Sequence, residues 1–327
     1  MKLTEIVRGA SSIGISGHIR PDGDCTGSAM ALFLYLKKIC KDADIHLFLE
    51  SRQDTMTDMK YLSQIDTSYE WEGSFDVFFA LDTAKDRLGK AEAYFDGAKK
   101  TVNIDHHVSN QNGCAQINYV EPKASSTSEL IYELIKADDN PLPLKERMDA
   151  DIALAVYIGM IHDTGVFQYS NTTGRTLADA AELITYGFDF PRIIEETFYQ
   201  KTYIQSQILG RALLESIQFM DGRCIVSCID RKTMDFYGVN PADLDGIANQ
   251  LRNIKGVDCA VFLYQTGLME YKISMRSNDR VDVSRIASYF GGGGHVRAAG
   301  CTMKGTFHDC INNLSLHIEK QIGAKHD

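Results

Sequence analysis

A chain of 327 residues with 44% hydrophobic and 24% charged side chains has the composition of an ordinary globular protein, which excludes a fibrous or disordered one. Its length suggests two domains at roughly 100–200 residues each, and no apolar run approaches the roughly 18 residues of a membrane span. The net charge of −10 argues against broad nonspecific binding of long nucleic acid, which needs many lysine and arginine contacts to phosphate, but leaves a short anionic substrate compatible.

Residues 12–18 read as a strand, 27–38 as a helix, and 44–50, 75–82 and 101–105 as three further strands. Short apolar runs separated by helical segments predict βαβ units and a mainly parallel sheet. Residues 125–135 open with hydroxyl caps and continue as an amphipathic helix. A more apolar helix follows from about 145 to 161 and ends at His162-Asp163-Thr164-Gly165. The pattern loosens from about 186 to 201 before a helical stretch at 204–219. In the second half, 223–229 reads as a strand, and 259–264 with 270–276 as a hairpin turning at Gln265-Thr266-Gly267. A helix at 283–290 leads into a loop, Gly291-Gly292-Gly293-Gly294-His295. The fold expected is α/β: a mainly parallel N-terminal domain (1–190), a linker helix (191–215) and a smaller α/β C-terminal domain (216–327).

Chemistry concentrates at the ends of the predicted strands. His18-Ile19-Arg20-Pro21-Asp22-Gly23-Asp24 closes the first, Asp82 the third and Asp105-His106-His107 the fourth; Asp163 follows the apolar helix. In parallel α/β sheets ligands bind outside the carboxyl ends of the strands, so these clusters can meet despite their separation in sequence. Each is weak alone, because Pro21-Asp22-Gly23-Asp24 also reads as a surface turn and Asp82 or Asp163 as a helix cap. Together they form the ligand set of a two-metal phosphoesterase site, in which cations roughly 3.5–4 Å apart clamp a phosphoryl group. Oxygen-rich ligation with a minority of imidazole favours manganese, magnesium, iron or cobalt over structural zinc. The eight cysteines form no C-x-x-C pair and the N-terminus lacks the features of a secretory signal, so reduced thiols and a cytoplasmic location are expected. Cys25, beside Asp24, is read as packing at a helix start.

The glycine run can bring backbone N–H groups close to an anion. With His295 at its end and Arg276 on a preceding strand it suggests a grip for a terminal phosphate. Ser277 would add a hydroxyl.

In these motifs the chain resembles the DHH phosphoesterases. His18-x-x-x-Asp22-x-Asp24, Asp82, Asp105-His106-His107 and Asp163 match their motifs in order. Met275-Arg276-Ser277, Gly291-Gly292-Gly293-Gly294-His295 and Ala298-Ala299-Gly300 are similar to the DHH-associated C-terminal domain. The resemblance is strongest to the branch of bifunctional oligoribonucleases and phosphoadenosine-phosphate phosphatases. It implies one metal on His18, Asp22 and Asp82, and a second on Asp24, Asp82, His106 and Asp163, with manganese the expected ion and magnesium or cobalt as substitutes. It also implies that Asp105 orients a histidine, that His107 faces the scissile phosphate, and that Arg276, Ser277, Gly292, Gly293, Gly294 and His295 hold substrate. Short 5′-phosphorylated RNA, dinucleotides and 3′-phosphoadenosine-5′-phosphate are the implied substrates, with no membrane partner; a homodimer is compatible. The alternatives left open are a cyclic dinucleotide phosphodiesterase and a non-catalytic nucleotide sensor.

Overall fold

The computed structural model describes residues 1–52, 59–278 and 280–323. They form two compact units, Met1–Gln200 and Lys201–Asp327.

The first unit is built on six strands: β1 (Ser12–Ser16), β2 (Asp44–Phe48), β3 (Ile65–Asp66), β4 (Val77–Leu81), β5 (Lys100–Asp105) and β6 (Ile117–Val120). Every pairing between them is parallel, in the order β3-β2-β1-β4-β5-β6. Alternate side chains go to opposite faces, as the two-residue period of a strand requires. Leu47, Phe79 and Leu81 enter the main core, while Phe48, Phe78 and Ala80 enter a smaller aromatic cluster with Phe75 and Phe95. Three helices, Gly23–Ile39, Thr127–Ala137 and Ala150–Asp163, pack on one another within the main core. The first and third approach closely because both carry glycine at the crossing: a Cβ on Gly27 would lie 2.5 Å from the Ala155 carbonyl oxygen.

This strand order has a reversal between β1 and β4, where successive connections leave in opposite directions. An open α/β sheet forms its ligand crevice at such a point, outside the carboxyl ends of the strands. Here β1 leads to His18, β4 to Asp82, and β5 ends at Asp105.

The second unit carries a mixed sheet of β7 (Ile217–Phe219), β8 (Cys224–Ile229), β9 (Cys259–Gly267), β10 (Glu270–Ser277), β11 (Gly293–His295) and β12 (Ala298–Lys304), in the order β11-β12-β10-β9-β8-β7. Only β8 and β9 pair in parallel. One face packs Val261, Leu263, Ile273 and Met275 against Ile286, Leu314 and Ile318; the other packs Ile225, Ala260 and Phe262 against Ile208, Met234, Ile247 and Leu251.

Several elements differ from the sequence reading. The first long helix begins at Gly23, four residues early, because the Asp22 side chain caps it by accepting from the N–H groups of Asp24 and Cys25, both at 3.1 Å. Residues 217–219, expected to be helical, form β7 instead, since the preceding helix ends at Leu214. The hairpin turns two residues later than expected, at Leu268 and Met269, with Met269 in a left-handed conformation. The glycine run is partly strand: Gly293–His295 pairs with β12, and a Cβ on Gly294 would lie 2.4 Å from the Ala298 carbonyl oxygen.

Candidate metal centre

The carboxyl ends of β1, β4 and β5 bring the acids and imidazoles of the first unit into contact. His18 Nε2 lies 3.7 Å from Asp22 Oδ2 and 3.5 Å from Asp82 Oδ2. His106 Nε2 lies 3.9 Å from Asp24 Oδ2, 3.6 Å from Asp82 Oδ1 and 3.4 Å from Asp163 Oδ2. The Asp82 carboxylate is therefore divided, one oxygen facing the His18 group and the other the His106 group. His107 Nδ1 is also 3.4 Å from Asp82 Oδ1. Three groups of potential ligand atoms result, each within 4.8 Å of one another: His18, Asp22 and Asp82; Asp24, His106 and Asp163; and Asp82, His106 and His107.

The donor set fits divalent cations. Each ligand imidazole has its Nδ1 against a backbone carbonyl, 2.8 Å from Ile19 for His18 and 3.4 Å from Ala124 for His106, which leaves Nε2 for the cluster. That division of the two nitrogens is usual for metal-bound histidine. His106 Nε2 is buried and has no hydrogen-bond partner, an orphan that a cation would satisfy.

The electrostatics point the same way. Burial and the neighbouring Asp82 push Asp24 up to about 7. Asp163 is likewise driven well above the usual carboxylate range, by burial and by Asp24 and Asp82. Burial opposes protonation of His18, but hydrogen bonds to Asp22 and Asp82 overcome it and lift the imidazole to about 10. His106 rises for the same reason, against burial, through Asp82 and Asp24. Carboxylates crowded in this way repel one another until positive charge is supplied.

Backbone geometry and a layer of hydrogen bonds hold the ligands. Asp82 has φ of 55°, a left-handed conformation that aspartate tolerates better than most side chains; the chain turns there while its N–H still bonds the Ile104 carbonyl at 2.9 Å. Asp24 sits on the N-terminus of the Thr127–Ala137 helix, accepting from Thr127 N–H at 2.7 Å and Ser128 N–H at 2.8 Å. The Thr127 hydroxyl donates to Asp82 Oδ1 at 3.0 Å. Asn171 Nδ2 donates to the Asp163 carbonyl and to its Oδ2, at 3.1 and 3.3 Å. Thr127, Ser128 and Asn171 were not singled out from sequence. The first two showed there only as helix caps, and Asn171 gave no signal.

Asp105 is fully buried and locks its own turn. Its Oδ1 accepts from the N–H groups of His106 and His107 and from His107 Nδ1 at 2.8 Å, and its Oδ2 accepts from Asn110 Nδ2 at 2.7 Å. The His107 ring is thereby fixed through Nδ1, and Asp105 raises its basicity against the effect of burial. His162 stands outside the three groups; it packs on Gly23, where a Cβ would meet its Cγ at 2.3 Å. A separate acidic trio, Glu129, Glu133 and Asp179, is countered by Lys136 and Arg175. Cys25 is buried, and its Sγ fills the space beside Gly17.

The expected substrate residues belong to the second unit. Arg276 Nε donates to Asn249 Oδ1 at 2.8 Å, on the face of β10 away from Ile273 and Met275. Ser277 is fully buried, with its hydroxyl turned to its own loop, 2.6 Å from the Val281 carbonyl. Gly292 lies against β12, where a Cβ would be 2.1 Å from the Gly300 carbonyl oxygen, and Gly293 has open space around it. Of His295 only the backbone is described. Among the described residues no helix is long and apolar enough to cross a membrane.

Comparison with known proteins agrees with this arrangement. The profile of the DHH family, N-terminal domain, matches residues 12–160, and that of the DHHA1 domain matches residues 221–324. A protein of Thermus thermophilus named bifunctional oligoribonuclease and PAP phosphatase NrnA is 30% identical over 305 residues, which cover 90% of this chain and 84% of that protein. The Bacillus subtilis protein of the same name is 27% identical over 306 residues, 92% of this chain and 93% of its own. In fold, an exopolyphosphatase-related protein from Bacteroides fragilis superposes with a TM-score of 0.89 at 24% identity, over 98% of this chain and 95% of that one. The exonuclease RecJ, solved bound to manganese, shares the fold more distantly, with a TM-score of 0.53 at 14% identity over 99% of this chain and 93% of that one. With its motifs on strand ends around a shared aspartate and both domains matched in order, the chain belongs to the DHH family of phosphoesterases, carrying a DHHA1 domain after its DHH domain.

Proposed function

We propose that this chain hydrolyses short 5′-phosphorylated oligoribonucleotides and linear dinucleotides to mononucleotides in the cytoplasm, and also removes phosphate from 3′-phosphoadenosine-5′-phosphate. The observation that carries the reading is the divided Asp82 carboxylate between two imidazole–carboxylate groups, which suits two cations sharing one bridging ligand. The names of the relatives from Thermus thermophilus and Bacillus subtilis support the substrate class. In this reading His18, Asp22 and Asp82 hold one cation, and Asp24, Asp82, His106 and Asp163 the other, with manganese the preferred ion. Bound there, the cations would supply Lewis-acid charge and lower the pKa of an attacking water.

The remaining work falls to the side chains. Thr127 and Ser128 keep Asp24 and Asp82 aimed at the cluster, so that little reorganisation accompanies reaction. His107, anchored by Asp105, presents Nε2 to a phosphoryl oxygen, where it donates a hydrogen bond or gives a proton to the leaving oxygen. In the second unit Arg276, Gly292, Gly293, Gly294 and His295 grip the terminal phosphate.

The test is turnover by the purified chain with manganese on 5′-phosphorylated diribonucleotides, linear adenylate dimers and 3′-phosphoadenosine-5′-phosphate. Wild type should cleave them and Asp82→Asn should not. If wild type binds these ligands yet leaves all intact with every divalent ion tried, the chain is a nucleotide sensor and the reading fails.

A further inference from the structure

In the second unit, the end of the Ile247–Arg252 helix and the turn that follows it form an open cleft of about 380 Å³. It is lined by Arg252, Asn253, Lys255, Asp258 and Asn278, among others. Asp258 immediately precedes β9 and Asn278 immediately follows β10, so the wall is made from two strand ends. These are riveted together: Asn278 N–H donates to the Asp258 carbonyl at 2.9 Å, and Asn278 Nδ2 to the Val257 carbonyl at 2.5 Å. A wall fixed in this way exists before any ligand arrives.

The cleft is cationic. Arg252 and Lys255 line it, and Asp258, the carboxylate in its wall, is already engaged by Arg223, with Nε 2.8 Å from Oδ2, and faces Arg280 Nε at 3.9 Å. One guanidinium donor of the lining has nothing to bond: Arg252 Nε is buried without an acceptor, while Arg252 Nη2 is used on Asn253 Oδ1 at 2.9 Å. Arginine cannot relieve such a mismatch by losing its proton, and a buried guanidinium N–H is normally matched by an acceptor. The acceptors best suited to that planar array are the oxygens of a carboxylate or a phosphoryl group. The volume lies at the small end for ligand sites, suited to one nucleotide and not to a polymer.

We propose that this cleft binds a phosphoryl group, on a mononucleotide or as free inorganic phosphate, with Arg252 and Lys255 as its cationic contacts. Its lining includes neither Arg276 nor any residue of the glycine run.

Titration of the full-length, metal-free chain with inorganic phosphate, AMP and adenosine, read by calorimetry and by the Nε–H resonance of Arg252, tests this independently of hydrolysis. Phosphate and AMP should bind and shift that resonance, and adenosine should not; tighter AMP binding identifies the nucleotide as the source, equal binding the free ion. Arg252→Ala with Lys255→Ala should weaken binding about tenfold or more, as expected for loss of charge-assisted contacts, and Lys255→Glu alone, at an exposed position, should weaken it without disturbing the fold. Arg276→Ala should leave it intact. Unchanged affinity in the double variant, equal binding of adenosine, or loss of binding only in Arg276→Ala would each overturn the proposal.

Discussion

Replacing Thr127 by valine removes one hydroxyl and almost no volume. The helix that carries it stays, as do the two backbone N–H groups that hold Asp24; what disappears is the 3.0 Å bond to Asp82 Oδ1. A hydrogen bond to a charged group contributes about 1.5–3 kcal/mol net. Most of that should appear as metal affinity and not as folding stability, because without cations Asp82 is crowded by other carboxylates and gains little from being held in place. At about 1.4 kcal/mol per factor of ten, the expected loss is roughly 10–100-fold in manganese affinity, the range usual for partners behind a metal ligand. Calorimetric titration of manganese into the metal-free chain measures this directly, with circular dichroism as the folding control. Thr127→Ser keeps the hydroxyl and should bind manganese within about threefold of wild type, less than 1 kcal/mol. Valine and serine variants equally weakened, or a valine variant indistinguishable from wild type, would refute the reasoning.

Two more perturbations reach the same centre from other directions. Gly159→Ala in an ordinary helix would be favourable by about 1 kcal/mol, but here the new Cβ would lie 1.9 Å from Ser128 Oγ and 2.9 Å from Asp24 Oδ1. Urea denaturation should show a loss of about 1–3 kcal/mol from overpacking, together with weaker manganese binding; a stabilised variant would show that the crossing is loose. The pH dependence has a definite sign. Asp24, Asp163, His18 and His106 all hold protons more tightly in the folded metal-free chain than in the unfolded one, so each contributes stability at low pH that is lost as pH rises. For Asp24 the loss runs from the ordinary carboxylate range through about 7, and for His18 from 6.5 through about 10. Thermal melts of the metal-free chain should therefore fall steadily from about pH 5 to about pH 9, and manganese should flatten the slope; a metal-free chain that gains stability across that interval contradicts the assigned crowding.

The sequence and the structure agree best where local pattern and topology act together. Apolar runs marked four of the parallel strands, and their carboxyl ends predicted which acids would meet. The two strands of the first unit that escaped notice, β3 and β6, lie at the sheet edges, where two residues or a half-exposed Ile117–Val120 leave no apolar run to see. The start of the Gly23 helix was hidden because Pro21-Asp22-Gly23 has the composition of a turn, and only the Asp22 cap turns it into a helix entrance. Ser126-Thr127-Ser128 was legible as a cap, and Ser126 Oγ does accept from the Glu129 N–H at 3.0 Å. That the next two residues grip Asp24 and Asp82 depends on a tertiary contact across more than a hundred residues for Asp24, which no local window contains. The glycine run was read for close approach to an anion, whereas Gly292 and Gly294 come close to β12.

The left-handed backbone at Asp82 narrows what can ever occupy that position. A β-branched or bulky residue would pay for the conformation before any question of chemistry arose, and alanine would keep neither the shape nor the polar contacts. Asparagine tolerates the same backbone, matches the outline of the carboxylate, and can still accept the Thr127 hydroxyl, yet it removes the charge that two cations would share. For anyone wishing to trap this protein with an intact substrate, position 82 therefore offers, as asparagine, an inactive form whose architecture should be nearest to the native one, while β-branched residues there should cost about 1–2 kcal/mol of stability in addition to activity.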